Sequence, residues 1–304
     1  MTLRIREFTP ADSVAAAACH RAGRPYLVLT PELIPWMVER TPPEKRHRLL
    51  LAELDGQVVG SARCSLMARG SIPDQASLNV SVLPEHRGRG VGSALLAAGE
   101  AYLRGLGATH THGWVDDLPR DLGFAERHGY RLGRTGQFAS LDLTGPLPAV
   151  PPLPAGVELR SAVEFRDDPW PVYLVERDAS VDEPGDVPQE PMSYQEWLDT
   201  LWTHPDQRAE LTVVALVDGE PAAFSVVYDD GGTSYWSAFT ATRPAFRGRG
   251  LAKLAKTASL HRARAAGLTT AYTNNDASNA PMLAINAWLG YTPCAVERKG
   301  IKEL

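Results

Sequence analysis

Two short stretches carry residue types whose spacing suits a phosphate. Arg87-Gly88-Arg89-Gly90-Val91-Gly92-Ser93 follows a β-like run ending at Val82 and precedes a helix-like run from Ala94 to Leu106. A strand, a glycine turn and a helix start gather unpaired backbone N–H groups at the positive end of a helix dipole, which suits an anion. Glycine lets the backbone approach that anion closely, and Arg87 and Arg89 add charge. Arg247-Gly248-Arg249-Gly250-Leu251-Ala252, placed 160 residues later behind Thr242, repeats the arrangement. One glycine turn alone also has a purely structural reading. The third glycine of a dinucleotide fingerprint would fall at Ser93, and no acidic residue ends a second strand at the expected distance. That disfavours a dinucleotide site. The missing Gly-Lys-Ser/Thr excludes a nucleotide P-loop.

The elements that position these turns recur as well. Residues 3–8 alternate like a strand, and a helix-like segment runs from Pro10 to about Arg21, with a shorter one near Pro35 to Arg40. Asp55-Gly56 lies between strand-like runs and signals a tight hairpin, since such a turn needs positive φ. Asp218-Gly219 repeats it 163 residues on, and Gly290-Tyr291 repeats Gly129-Tyr130 at 161. Offsets this constant indicate duplication of a whole domain. Between the copies, residues 145–156 read GPLPAVPPLPAG, a stiff extended linker by composition. The expected division is therefore a first domain at 1–145, a linker at 146–156 and a second domain at 157–304.

Bulk properties narrow the function classes. A chain of 304 residues suits about two domains. The net charge of −5 supplies no global field for nucleic acid or an anionic membrane, so neither partner is expected. Three cysteines without metal-type spacing fit a reducing, cytoplasmic setting, and the N-terminus lacks the apolar core of a signal peptide. No run approaches the length of a spanning helix. His110 and His112 share a strand face but have no further ligand at proper spacing, so no metal is expected.

The order of strand, Pro-x-x-Arg-Gly-x-Gly-x-Gly/Ala turn, helix, strand, and helix ending in Gly-Tyr resembles the GNAT superfamily of N-acetyltransferases in both halves. The resemblance implies an α/β fold of two GNAT domains, each a mixed, mostly antiparallel twisted sheet flanked by helices. It implies that Val82, Arg87, Gly88, Arg89, Gly90, Val91, Gly92 and Ser93 hold the pyrophosphate of acetyl-CoA in the first half. Thr242, Arg247, Gly248, Arg249, Gly250, Leu251 and Ala252 hold it in the second. The pantetheine arm is expected in the gap where the strands on either side of the helix splay. Thr273 to Asn286 looks like the Thr-x-Asn…Asn-x-x-Met…Asn version of two-domain actinobacterial-type members. There Asn279 has two compatible roles, helix N-cap and cofactor contact.

Catalysis is less plainly written. Many members place a tyrosine four residues before the closing glycine as general acid toward the CoA thiolate; here Asn286 and Ala125 stand there. An asparagine can donate an amide N–H to sulfur, and alanine cannot. Asp116, Asp117 and Asp276 follow strands but read equally as solvated caps, and a water chain is an alternative base. The oxyanion is expected on a backbone N–H near Thr242 or Val82. The segment Asp178 to Glu190 holds five carboxylates and no Lys or Arg, either a roof that attracts a cationic amine or a solvated loop. Tyr173, Tyr194, Trp197 and Trp202 either wall a pocket or form core.

The expected function is acetyl transfer from acetyl-CoA to a primary amine of a small molecule, by direct attack in a ternary complex, with the second half more suited to it. The alternatives are a peptide or protein amine, a longer acyl donor, and a silent acyl-CoA-binding module. The acceptor and the oligomeric state are not encoded in any motif.

Overall fold

The computed structural model describes residues 2–68, 70–180, 187 and 190–304. In chain order the elements are β1 (Leu3–Glu7), α1 (Ser13–Arg21), α2 (Leu33–Arg40), β2 (Arg48–Leu54), β3 (Gln57–Leu66), β4 (Gln75–Val82), α3 (Val91–Gly105), β5 (His110–Asp116), α4 (Pro119–Arg127) and β6 (Arg131–Asp142). They continue with β7 (Val157–Ser161), α5 (Trp170–Ser180), α6 (Tyr194–Trp197), β8 (Val213–Val217), β9 (Glu220–Asp229), β10 (Ser234–Thr242), α7 (Leu251–Ala265), β11 (Thr270–Asp276), α8 (Ala280–Leu289) and β12 (Thr292–Glu303).

The chain forms two compact units. Unit 1 includes residues 1–136 and 295–304; unit 2 includes 137–186 and 190–294. The units therefore differ from the expected 1–145 and 157–304. The change of unit falls inside β6, and the proline-rich stretch belongs to unit 2. There Pro148 O accepts from His261 Nε2 at 2.9 Å, and Gly145 O from Arg264 at 3.4 Å. The last ten residues of the chain complete unit 1, because β12 pairs antiparallel with β5 from Glu297–Asp116 to Glu303–His110.

In unit 1 the strands lie in the order β1-β2-β3-β4-β5-β12. All neighbours are antiparallel except β4 and β5. The Asp55-Gly56 turn has φ of +49° and +87°, as a tight hairpin requires. On one sheet face α3 buries Val91, Leu95, Leu96 and Leu103 against Ala62, Cys64 and Leu78. On the other, α1 and α2 cover Leu49 and Leu51. Close approach decides two glycines: a Cβ on Gly99 of α3 would stand 2.6 Å from Leu78, and one on Gly113 of β5 would stand 2.5 Å from Leu78 O.

Unit 2 repeats the plan with the order β6-β11-β10-β9-β8-β7, and Asp218-Gly219 turns with φ of +51° and +84°. Its α7 packs Leu251, Leu254, Ala255 and Ala258 against β8 and β9. The opposite face carries the aromatic residues. Trp197 stacks on Trp202 at 5.1 Å, Tyr173 lies 5.2 Å from Tyr194, and the group packs on Val214, Leu216 and Phe224. These rings form core. In each unit the strands are mixed in direction, mostly antiparallel and flanked by helices, as expected. No helix among the described residues is long and apolar enough to cross a membrane.

Candidate active site

Each glycine turn is built by the same local rules. After β4, a 3-10 turn over Pro84–His86 delivers Gly88 and Gly90 with φ of +74° and +81°, and Gly90 caps α3. After β10, Pro244–Phe246 delivers Gly248 and Gly250 at +77° and +74°, and Gly250 caps α7. A Cβ on any of these four would meet nothing within 4 Å. Backbone conformation demands the glycines here, and the space beside them is open. Arg89 and Arg249 are exposed at the turns, while Val91 and Leu251 point inward and are buried. Gly92 lies under Phe124, at 3.3 Å for an added Cβ, and Ser93 Oγ is 3.0 Å from His128 Nε2.

Arg87 and Arg247 are each bonded to backbone carbonyls beside their turns. Arg87 Nε donates to Val82 O at 2.9 Å and Nη2 to Ala22 O at 3.3 Å, and Arg247 Nε donates to Thr242 O at 3.2 Å. Each arginine thus ties its turn to the end of the preceding strand.

Both units open a gap beside the turn. β4 and β5 pair in parallel only from Gln75–His110 to Ser77–His112, and β10 and β11 only from Ser234–Thr270 to Ser237–Thr273. Beyond those pairs the strands part. In unit 1 a cavity of about 440 Å³ runs from the turn into this gap, lined by Val82, Gly88, Gly90, Ser93, Trp114 and Ala125 among others. Arg243 N donates back to Ala222 O at 2.9 Å. Strand alternation then turns the Thr242 N–H the opposite way, into the gap.

The two gaps differ. In unit 1, Asn79 Oδ1 accepts from the Trp114 N–H at 2.9 Å and bridges the parted strands. The equivalent place on β10 holds Phe239, whose ring packs on Phe224 at 5.7 Å. β10 also carries a bulge at its parting point: Ser237 pairs Val227 and Phe239 pairs Val226, which leaves Ala238 over. β4 pairs with β3 without interruption. Bulges re-aim a strand at such points.

Asn286 is buried, and its amide is held on both sides. Its Oδ1 accepts from Lys256 Nζ at 2.7 Å, and its Nδ2 donates to Asn275 Oδ1 at 2.6 Å. Lys256 is fully buried, 3.4 Å from Thr273 Oγ1 and 5.0 Å from the centre of the Tyr291 ring. Burial pushes its ammonium down to about 7. The sequence reading missed Lys256, because one lysine on an amphipathic helix reads as solvated. Only the polar side chains opposite distinguish it. Asn279 Oδ1 accepts from Met282 N at 3.4 Å and caps α8.

The candidate bases are engaged. Asp116 accepts from Arg24 Nε at 2.9 Å and from the Tyr26 hydroxyl at 3.3 Å; Asp117 accepts from Arg298 at 3.1 Å; Asp276 accepts from Ser278 N and Oγ. Of the expected acidic roof, Asp182, Glu183 and Asp186 lie outside the described residues. Asp178 pairs with Arg177 and with Arg243, the residue that opens the second turn. Burial raises the Asp178 carboxyl, but hydrogen bonds from the two arginines outweigh it and hold the group below its usual value. His112 is buried with Nε2 2.7 Å from Gln75 Oε1. Among the described residues, no three His, Cys, Asp or Glu stand together as a metal site.

Comparison with known proteins fits this geometry. The model of the acetyltransferase (GNAT) family matches residues 15–130 and 172–291. A mycothiol acetyltransferase of Nocardia farcinica is 30% identical over 276 residues, which cover 84% of this chain and 82% of that protein. Another, of a Nocardioides species, is 27% identical over 233 residues, 71% of this chain and 77% of its own. A tandem GNAT protein from the clavulanic acid biosynthesis pathway superposes with a TM-score of 0.77 at 21% identity, over 99% of this chain and 98% of that one. At that identity the likeness is one of fold.

Proposed function

This chain belongs to the acetyltransferase (GNAT) family and is an acetyl-CoA-dependent N-acetyltransferase, and we propose that it acetylates the primary amine of a small molecule in unit 2. Relatives named for mycothiol support a small-molecule acceptor. One observation carries the choice of unit. The Trp114 N–H beside the unit 1 gap is already taken by Asn79, whereas unit 2 has Phe239 there and a bulge that re-aims β10. Unit 1, with its complete turn, then holds CoA as a structural ligand.

In this reading the N–H groups of the turn from Arg247 to Ala252 receive the pyrophosphate, and Arg247 holds the turn closed against Thr242. The thioester lies in the gap between β10 and β11. A neutral amine attacks its carbonyl carbon, so a C–N bond forms while the carbonyl oxygen gains charge. The Thr242 N–H faces that oxygen and stabilises it. The C–S bond then breaks, and the CoA thiolate leaves. Asn286 presents its remaining amide proton toward the sulfur, its oxygen being fixed by Lys256. The ammonium proton of the acceptor passes to water, since Asp276 is engaged with Ser278.

The test is thiol release from acetyl-CoA across a panel of small amines and peptides, with Gly250→Val and Gly90→Val compared. Loss of turnover in Gly250→Val alone supports transfer in unit 2. Loss in Gly90→Val alone, or turnover on peptides only, overturns the reading.

A further inference from the structure

Arg63, on β3, is a cation without a counter-charge among the described residues. Its Nε is buried and makes no hydrogen bond, and Nη1 points at Met37 Sδ, 3.6 Å away. No carboxylate among the described residues pairs with it. The charge acting on it is another guanidinium, Arg24, which is itself paired with Asp116. Burial and Arg24 together push Arg63 down to about 10, as expected for a charge lacking its partner. Two histidines feel the Arg63 charge, and both are shifted toward the neutral form. Burial and the guanidiniums of Arg63 and Arg24 hold His20 well below its usual value, and burial with Arg63 and Lys45 takes His47 to about 4. The His47 Nδ1 is also buried without a partner.

The place in the fold is informative. Arg63 stands cross-strand from Leu49 and Asn79, on the sheet face that α1 and α2 cover. In unit 2 the corresponding cross-strand pair is Val226 and Phe239, both apolar and packed under the aromatic rings. The two copies therefore present opposite chemistry at one position. Arg63 is half-buried, and a guanidinium whose Nε is shut away from water without a partner is costly; no part of the acetyl-transfer reading uses it. With Nη1 turned to Met37, the Nε–Nη2 edge remains. That edge is a planar fork that grips a carboxylate through two parallel hydrogen bonds.

We propose that unit 1 carries a second ligand site, in which the Nε–Nη2 edge of Arg63, between β3 and the α1–α2 layer, binds the carboxylate of a small organic acid. The site does not depend on which unit transfers acetyl groups. It makes unit 1 a sensor or recognition module for an anionic metabolite.

The full chain is titrated with acetate, pyruvate, succinate, citrate and inorganic phosphate at ionic strength matched with chloride, and Tm is followed. At least one carboxylate is expected to raise Tm saturably, by about 3 °C at ten times its half-saturating concentration. Arg63→Met should abolish the rise while leaving the unliganded Tm equal or higher, because it removes an uncompensated charge. Arg63→Lys keeps the charge without the fork and should lose most of the rise, which serves if the methionine variant does not fold. No carboxylate effect beyond chloride, a response to phosphate alone, or an equal rise in the Arg63 variants would overturn the proposal.

Discussion

The Lys302 ammonium lies 2.7 Å from both carboxylate oxygens of Glu100, although 202 residues separate the two in the chain. Glu100 sits on α3 with 7% of its surface exposed and also accepts from the Tyr130 hydroxyl at 3.2 Å. The end of the chain therefore supplies the counter-charge to a buried acid in unit 1. Lys302→Met leaves that carboxylate only the looser ion pair with Arg104, 3.9 Å away, with an expected cost of about 2 kcal/mol for the lost charged hydrogen bonds. Hydrogen exchange should localise the loss to α3, β5 and β12. Equal loss of protection in α7 and β8 would contradict the assignment of residues 295–304 to unit 1.

Lys256 gives unit 2 a pH dependence. Its folded value of about 7 lies below the ordinary lysine value. Between pH 7 and 10 the unfolded chain holds a proton that the folded chain lacks, so stability rises with pH across that window. Below about pH 7 both states are protonated and the full destabilisation remains. Wild type should gain ~1.4 kcal/mol per pH unit relative to Lys256→Met within the window. Urea unfolding at pH 7, 8 and 9 checks this, and parallel profiles would refute it.

Asn79→Ala releases the Trp114 N–H in unit 1. The lost hydrogen bond is expected to lower stability by about 1–2 kcal/mol. At the same time the unit 1 gap gains a free donor for an extended ligand, so acetyl-CoA should bind there more tightly. Calorimetry of the variant separates the effects; unchanged affinity at unit 1 would remove the argument that Asn79 obstructs the gap.

Gly250→Ala tests the second turn with little steric disturbance, since the new Cβ meets nothing within 4 Å. At φ of +74° an alanine costs about 1 kcal/mol. Its methyl group projects where the anion is expected, so the dissociation constant for acetyl-CoA in unit 2 should rise about tenfold, or ~1.4 kcal/mol. Full affinity with the expected loss of stability would place the phosphates elsewhere.

Local chemistry was legible in the chain itself. Asp55-Gly56 and Asp218-Gly219 adopt the positive φ angles that their residue types favour. Gly90 and Gly250 cap the helices expected behind them, and Asn279 caps α8. Each of these depends on a few neighbouring residues, and their constant offsets announced the duplication. Lys256, Asn79 and Arg63 were not legible, because what marks them is the partner across a strand or helix. Lys256 has Asn286, Asn79 has the Trp114 N–H, and Arg63 has no acid among the described residues.

The sequence by itself determined the two glycine turns, the hairpins, the helix caps and the repeat that joins them. Tertiary structure decided which unit each closing strand completes. β6 and β12 follow Gly129-Tyr130 and Gly290-Tyr291, beyond the last motif, and β12 carries its residues 295–304 to β5 of unit 1. A strand edge offers the same row of backbone donors and acceptors to any strand of suitable pattern. Closing strands in a duplicated chain meet two such edges. The choice between them rests on contacts such as Lys302 with Glu100, which exist only once the chain has folded.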